Sequence, residues 1–559
     1  MRRTGRRCTP SRSSREAAES FVGGSLSANI GRMAAILRSV LSMSAATALS
    51  RITGYVRTFT QAAVVGSGTV VAEAYTYSNS LPNQIYELFM GGILSSIFIP
   101  LLVERLSRHG ERDARLLANA LATLVVPFLA LITLLGIVFA PALVGFITDW
   151  KASSSLSPAE AERTTELAVL LFRVFAAQIF FYGVAALEMG ILNAHRRFFL
   201  PAFTPVLNNL IVIASFGGYA LLSGAHPSLA LRVLAFGTTL GVAAMALAML
   251  PAVLRLGYRP RLVFGHPSLA PAARLAGPML VFVVCSVGVQ VAANYFGSAA
   301  GGVSDLWYAF MIFQLPYGIF TVSMATALMP ELSESYARRD AASFRSTLSF
   351  GLRTMTFVLA PAAVGMIALS RPIVGLLYEH GNFTGRDTLS VSVLLAAYAV
   401  GLLGYAAYFV LVRSFYSRQN TRAPATLNAG LLVLYVVLGH LLLRWLGLVG
   451  VALAFSISYT ILALALLLAM RRVLKRLGGR GMLRSFSRIV LSAAGMYVTA
   501  RAGLALTGPG PGLLGHAAVL VGVGGVSLAV YLVVAALLRT EELGYALSLL
   551  RRKAAAGKG

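Results

Sequence analysis

Stretches of twenty or more mostly apolar residues recur along the whole chain, and nothing else about it constrains the fold as much. Wound as a helix, each is long enough to cross about 30 Å of hydrocarbon. A backbone in lipid must satisfy its own N–H and C=O groups, which leaves helices and closed barrels, and the period-two alternation of a barrel is absent. At 57% hydrophobic and 12% charged over 559 residues, the chain is excluded from the soluble globular class. The expected fold is an all-α polytopic membrane protein of about fourteen transmembrane helices.

The formal net charge of +27 would point a soluble chain toward nucleic acid. Here the arginines fall in alternate loops. Arg105, Arg108, Arg112 and Arg115 follow the second span, Arg196 and Arg197 the fourth, Arg255, Arg259 and Arg261 the sixth. Arg338 and Arg339 follow the eighth, Arg418 and Arg422 the tenth, and a dense group from Arg471 to Arg484 the twelfth. The intervening loops carry little charge: SGTVVAE, the mildly acidic stretch 148–166, SGAHPS, GSAAGGVSD and TGPGPG. By the positive-inside rule both termini are cytoplasmic and the number of spans is even. Charge therefore reports orientation, and no nucleic-acid partner is expected.

Residues 1–32 are basic and Ser-rich and read as a disordered cytoplasmic tail, and 541–559 as a basic cytoplasmic C-terminus. The two cysteines, Cys8 and Cys285, make neither a metal site nor a sensible disulfide. No Walker A loop, HExxH or CxxC occurs, so neither an ATP site nor a bound metal is expected, and the membrane potential is the expected driving force. No nucleophile–base constellation argues for an enzyme.

The most informative stretch is 44–104. In its first apolar segment Ser50, Gly54, Arg57 and Gln61 share one helical stripe, with Arg51 beside them; in its second, Thr76, Asn79, Asn83 and Glu87 do the same. An ionisable group at the centre of an apolar helix costs roughly 2.5–3.5 kcal/mol, so it faces protein or a water-filled cavity. Two such stripes predict a polar cavity within the membrane. A guanidinium keeps its charge and can fork onto a phosphate, which makes Arg57 the leading anion contact and Arg51 the next. The alternatives at these positions are a snorkelling arginine or an internal pair with Glu87. Asn79 and Asn83 read equally as sugar or peptide contacts and as glue between helices. Glu188 reads as a buried acid without an assigned role, Arg353 as a rim or snorkelling residue, and Arg418 as a solvated loop residue. Gly54, Gly91, Gly92, Pro82 and Pro316 read as packing or bending points.

The sequence also repeats. LPNQIYELFMGGILSSIFIPLLVE (81–104) is similar to LPYGIFTVSMATALMPELSE (315–334), APALVGFI (140–147) to SRPIVGLL (370–377), and NAHRRFFLPAFTPVLNN (193–209) to YSRQNTRAPATLNAG (416–430). The order is kept and the offsets agree. This predicts a parallel repeat of two six-helix lobes, 33–255 and 256–475, followed by two further helices at 476–540.

ALSRITGYVRTFTQAAVVGSG, LPNQIYELFMGGILSSIFIP, FGLRTMTFVLAP, LYEHGNFTGRDT and FYSRQNTRAP resemble the MurJ/MviN family of lipid II flippases, within the multidrug/oligosaccharidyl-lipid/polysaccharide exporter superfamily. The resemblance runs in motif order over about 33–475 and includes the last two helices. It implies alternating access of two lobes that moves an undecaprenyl-diphosphate-linked peptidoglycan precursor from the inner to the outer leaflet of the cytoplasmic membrane, with cell-wall synthesis machinery as a partner. It further implies that Arg57 and Arg51 occupy the positions of cavity arginines and that the last two helices help form a groove for the lipid tail. Two of the family's other cavity arginines are replaced, by Tyr86 and Met311, and its sodium-site acids leave only Asn294 and Asn428. The alternatives are an exporter of another polyprenyl-linked or amphipathic substrate and a transport-silent scaffold for cell-wall assembly.

Overall fold

The computed structural model of the protein describes residues 43, 45–87, 98–153, 156–474 and 479–545. The tail 1–32, Gly91, Gly92 and most of 541–559 lie outside these residues. Among them every regular element is helical. The first half comprises α1 (45–65), α2 (Val70–Glu87), α3 (Ile99–Val138), α4 (Ala140–Ile147), α5 (Pro158–Phe175), α6 (Ala177–Ala194), α7 (Phe199–Leu222) and α8 (Pro227–Arg255). The second comprises α9 (Leu269–Ala300), α10 (Val303–Pro316), α11 (Val322–Ala337), α12 (Ala341–Ala368), α13 (Ser370–Tyr378), α14 (Gly385–Val400), α15 (Leu402–Tyr416), α16 (Arg422–Leu446) and α17 (Leu448–Leu474). An appended pair follows, α18 (Gly479–Thr507) and the composite α19 (Gly512–Val519) and α20 (Gly525–Leu537), joined by a π-helical turn.

Eleven described helices are long and apolar enough to cross a membrane, or twelve if the bent pair α14 and α15 counts as one span. The expectation of about fourteen is not reached within this set. Helices α1 and α2 stand outside it: both carry polar stripes, and α2 runs into the undescribed 88–97. The fourth span starts earlier than its apolar run suggests. Ser157 and Glu160 form a capping box, and Pro158 fits the first turn, so the helix begins inside the acidic stretch that reads as a loop.

Three large apolar cores organise the bundle. Two lie in the first half, around Tyr75, Trp150, Phe175 and Phe216, and around Leu102, Tyr182, Met189 and Met249. The largest lies in the second half around Tyr308, Phe313, Tyr398, Phe455 and Tyr459, and takes in Ala62 of α1. Lipid gives helices no hydrophobic reason to associate, so close packing and hydrogen bonds decide which faces meet. The opposite faces expose Phe146, Leu221 and Leu506, as lipid contact requires.

The clearest close packing is where α14 bends into α15, at 46°. A Cβ at Gly401 would lie 2.5 Å from the Ser456 Cα, so only glycine lets α17 approach the bend. Bending frees backbone carbonyls, and Ser456 Oγ donates to those of Ala397 at 2.7 Å and Tyr398 at 3.1 Å. Gly401→Val is expected to reduce the folded protein recovered in detergent several-fold. Ser456→Ala is expected to lower its thermal stability only modestly, by about 0.6–1.7 kcal/mol. Thermal-shift chromatography separates the two; equal losses would show that packing does not outweigh the hydrogen bonds at this bend.

The repeat is visible locally. Helices α4 and α13 are both short and both follow a long span, through Phe139 (φ −92°, ψ 14°) and Leu369 (φ −111°, ψ 22°). Arg196 and Gln419, matched in the third pair of segments, both turn the chain in the left-handed region at φ 58°.

Candidate functional site

The residues of the polar stripes do not share one role. Gln61 is buried and its Nε2 donates to Thr76 Oγ1 at 3.2 Å, tying α1 to α2. The Ser50 carbonyl accepts from Asn209 Nδ2 at 3.1 Å, and Gly54 lies against the same amide, so this part of the stripe is seated on α7. Asn83 is spent internally: Nδ2 donates to the Asn79 carbonyl at 2.8 Å and Oδ1 accepts from Tyr182 at 2.7 Å. Asn79 stays half-buried. The Glu87 side chain, and with it the expected pair with arginine, falls outside the described residues. Tyr86 stacks on Tyr182 at 4.5 Å.

The two arginines differ from these amides. Arg51 is exposed, reaches Tyr55 one turn on, and lies where a side chain at Gly318 would meet its Nη1 at 3.1 Å. Gly318 belongs to the π-helical turn Tyr317–Thr321 that follows Pro316, so α1 meets the second half at a weak point in its helix. Arg57 is half-buried, within electrostatic range of Tyr75 on α2. Among the described residues neither arginine is within ion-pair distance of a carboxylate. The two guanidinium groups lie on different faces of α1.

Other expectations change. Arg418 is only partly exposed: its guanidinium sits over the rings of Tyr336 at 5.6 Å and Phe344 at 5.7 Å. The rings of two adjacent helices take up a side chain that its loop position would leave free. Arg353 is no rim residue either. It pairs with Glu541 at 2.7 Å and Glu542 at 3.6 Å, and Ser485 Oγ donates to Glu542, so these contacts fasten the appended pair to α12. Asn294 donates to Ser80 Oγ at 2.6 Å, and Asn428 bonds Tyr408, Phe282 and Ser286, so both amides are engaged by protein. Glu188 is buried among apolar neighbours with neither carboxylate oxygen hydrogen-bonded.

A cluster that no sequence motif marks closes the arginine-poor end of the molecule. Glu73, fully buried in the first turn of α2, accepts from the backbone N–H groups of Val303 at 2.8 Å and Ser304 at 2.9 Å and from Ser304 Oγ at 2.6 Å. These are the first N–H groups of α10, which have no partner inside their own helix and sit at the positive end of its dipole. Asp305, two residues on, accepts from Ser67 and Ser390. The Gly68 N–H donates to Ser304 Oγ at 2.9 Å. Beside this cluster Asn382 donates through its backbone to Ala63 O at 2.8 Å and through its side chain to Val64 O at 2.6 Å. Gly66 and Gly381 both have positive φ, and a Cβ on Gly381 would collide with the Ala63 carbonyl. Carboxylates and hydroxyls thus join the two halves with hydrogen bonds, beside apolar contacts of Phe59, Ala62 and Val303 across the same seam. Next to them a cavity of about 20 Å³, room for about one water, lies between Thr76, Ser80, Gln290 and Asn294.

The signal for Glu73 was present as an acid in the first turn of an apolar helix. Its partner is backbone on another helix 230 residues away, which no local pattern announces.

Comparison with known proteins agrees in sequence and in fold. The family profile described as lipid II flippase MurJ matches residues 61–507. A probable lipid II flippase MurJ of Vibrio cholerae serotype O1 is 30% identical over 433 residues, covering 76% of this chain and 80% of the relative. One from Bdellovibrio bacteriovorus is 30% identical over 472 residues, covering 84% and 88%. A solved structure of lipid II flippase MurJ in an inward closed conformation superposes with TM-score 0.72 at 26% identity, over 89% of this chain and 98% of that one. A multidrug resistance MATE family transporter of the MOP superfamily, inward-facing, shares the fold at TM-score 0.60 and 15% identity, over 79% of this chain and 99% of that one.

Proposed function

The chain belongs to the MurJ family of lipid II flippases, and from that premise we propose that it carries lipid-linked peptidoglycan precursor from the inner to the outer leaflet of the cytoplasmic membrane. Two lobes, 33–255 and 256–475, rock about the substrate, with 476–540 attached to the second. Both termini face the cytoplasm, because the arginine-rich loops do. The observation that carries the mechanism is the polar latch: Glu73 and Asn382 close the arginine-poor, outward end with hydrogen bonds from one half to the other, which can be exchanged for water when the halves part. Substrate enters from the cytoplasmic side while this end is shut.

Arg57 and Arg51 supply the anion contacts for a diphosphate. The membrane potential drives the cycle: one elementary charge crossing the full field is worth about 2.3 kcal/mol per 100 mV, and an anionic diphosphate leaving a negative-inside cell gains from it. Neither ATP nor a bound cofactor enters this cycle.

Depleting the resident flippase of a host and supplying this chain as the only replacement tests the activity. Growth with normal cell shape, and precursor accessible at the outer leaflet, are expected. Insertion at normal abundance without either would favour the scaffold alternative.

A further inference from the structure

The loop that closes the latch is gripped from its other side by the appended helices, through His516. The His516 ring is buried, with Nδ1 2.9 Å from the Pro509 carbonyl, which makes Nδ1 the donor there. Its Nε2 faces Glu379 Oε2 at 3.6 Å, an ion pair when the ring carries both protons, and the same oxygen accepts from Thr388 Oγ1 at 2.7 Å. The ring fills the space of a missing side chain: a Cβ at Gly375 would collide with His516 Nε2. In the matching segment of the first half the counterpart is Gly145, and a Cβ there would meet nothing within 4 Å. The repeat therefore offers two equivalent glycines, and only the copy beside the appended pair holds a ring.

Glu379 begins the turn 379–384, and three residues on Asn382 makes its two hydrogen bonds to Ala63 and Val64 on the first half. At its far end the appended pair is fastened by Arg353 to Glu541 and Glu542. Held at both ends, the pair can transmit a displacement to Glu379.

We propose that His516 is a positioning residue for the latch: it holds Glu379, and through it the turn whose Asn382 closes onto α1, so that the appended helices set how readily the outward end opens. The proposal rests on the two-state reading above. Its test is the distance between spin labels at Lys151→Cys and Leu389→Cys, both on exposed side chains, in the full chain with Cys8 and Cys285 replaced by serine, reconstituted in lipid nanodiscs. His516→Ala and Glu379→Gln are each expected to raise the open-to-closed ratio about tenfold, and the double variant no further than either alone. Gly375→Ala, which expels the ring without altering it, is expected to do the same, and Gly145→Ala nothing. Single variants that leave the ratio unchanged, or a double variant equal to their sum, overturn the inference. Should His516→Ala fail to accumulate, the contrast between Gly375→Ala and Gly145→Ala decides alone. One distance in every protein, wild type included, overturns the two-state reading and the inference with it.

Discussion

Replacing Arg57 with alanine is expected to abolish transport while the protein still reaches the membrane at normal abundance. The side chain is half-buried on α1, and no carboxylate lies within ion-pair distance among the described residues, which leaves its charge to be matched by an anionic ligand in this reading. Removing one charge-assisted contact forfeits about 1.5–3 kcal/mol, or roughly 10- to 100-fold in affinity for the anion. Arg57→Lys is expected to keep part of the activity, since the charge survives and the planar fork does not. Arg259, exposed in a loop, is the control, and its alanine variant is expected to behave as wild type. The measurement is growth of the replacement strain together with immunodetection in isolated membranes. Normal growth of Arg57→Ala would move the anion site elsewhere, with Arg51 next. Loss of the protein itself would make the arginine a folding partner of an acid such as Glu87.

Replacing Glu73 with alanine is expected to open the outward end. Three donors converge on this carboxylate, two of them the unpaired N–H groups that start α10. Without it they are left buried and unsatisfied in the closed state but not in the open one. Taking about 3 kcal/mol for the group as a whole shifts the closed-to-open ratio roughly 100-fold. Glu73→Gln keeps one acceptor oxygen and loses the charge that the helix dipole favours, so an intermediate shift is expected. The label pair at positions 151 and 389 reads both. A distance distribution for Glu73→Ala that matches wild type would show that apolar packing, not the latch, keeps this end shut. Because transport needs both states, the alanine variant is also expected to support growth poorly despite normal abundance.

How much of this was legible in the chain depends on the range of the interaction. The membrane class, the helices and the arginine-rich faces follow from hydropathy and loop charge, because lipid forces each segment to satisfy its own backbone before it meets another. The duplicated segments were legible too, and the structure gives α4 and α13 the same place after their spans. Arg57 stood out because a charge in an apolar helix is costly wherever that helix ends up. What each polar side chain faces was not legible. Gln61, Asn83, Asn294 and Asn428 have the same chemistry as ligand-binding residues, and only tertiary packing showed their amides spent on Thr76, Tyr182, Ser80 and Ser286. Arg418 became a ring-packed residue, and Arg353 a clamp on the appended pair, for the same reason. The latch lay furthest from the reach of sequence: Glu73 and Asn382 bind backbone N–H and carbonyl groups, which every residue carries, so no side-chain identity marks their partners. The sequence determined that this chain crosses the membrane and where its unusual charges sit. The tertiary structure decided which of those charges are occupied, because that depends on helices far apart in the chain arriving within 3 Å of one another.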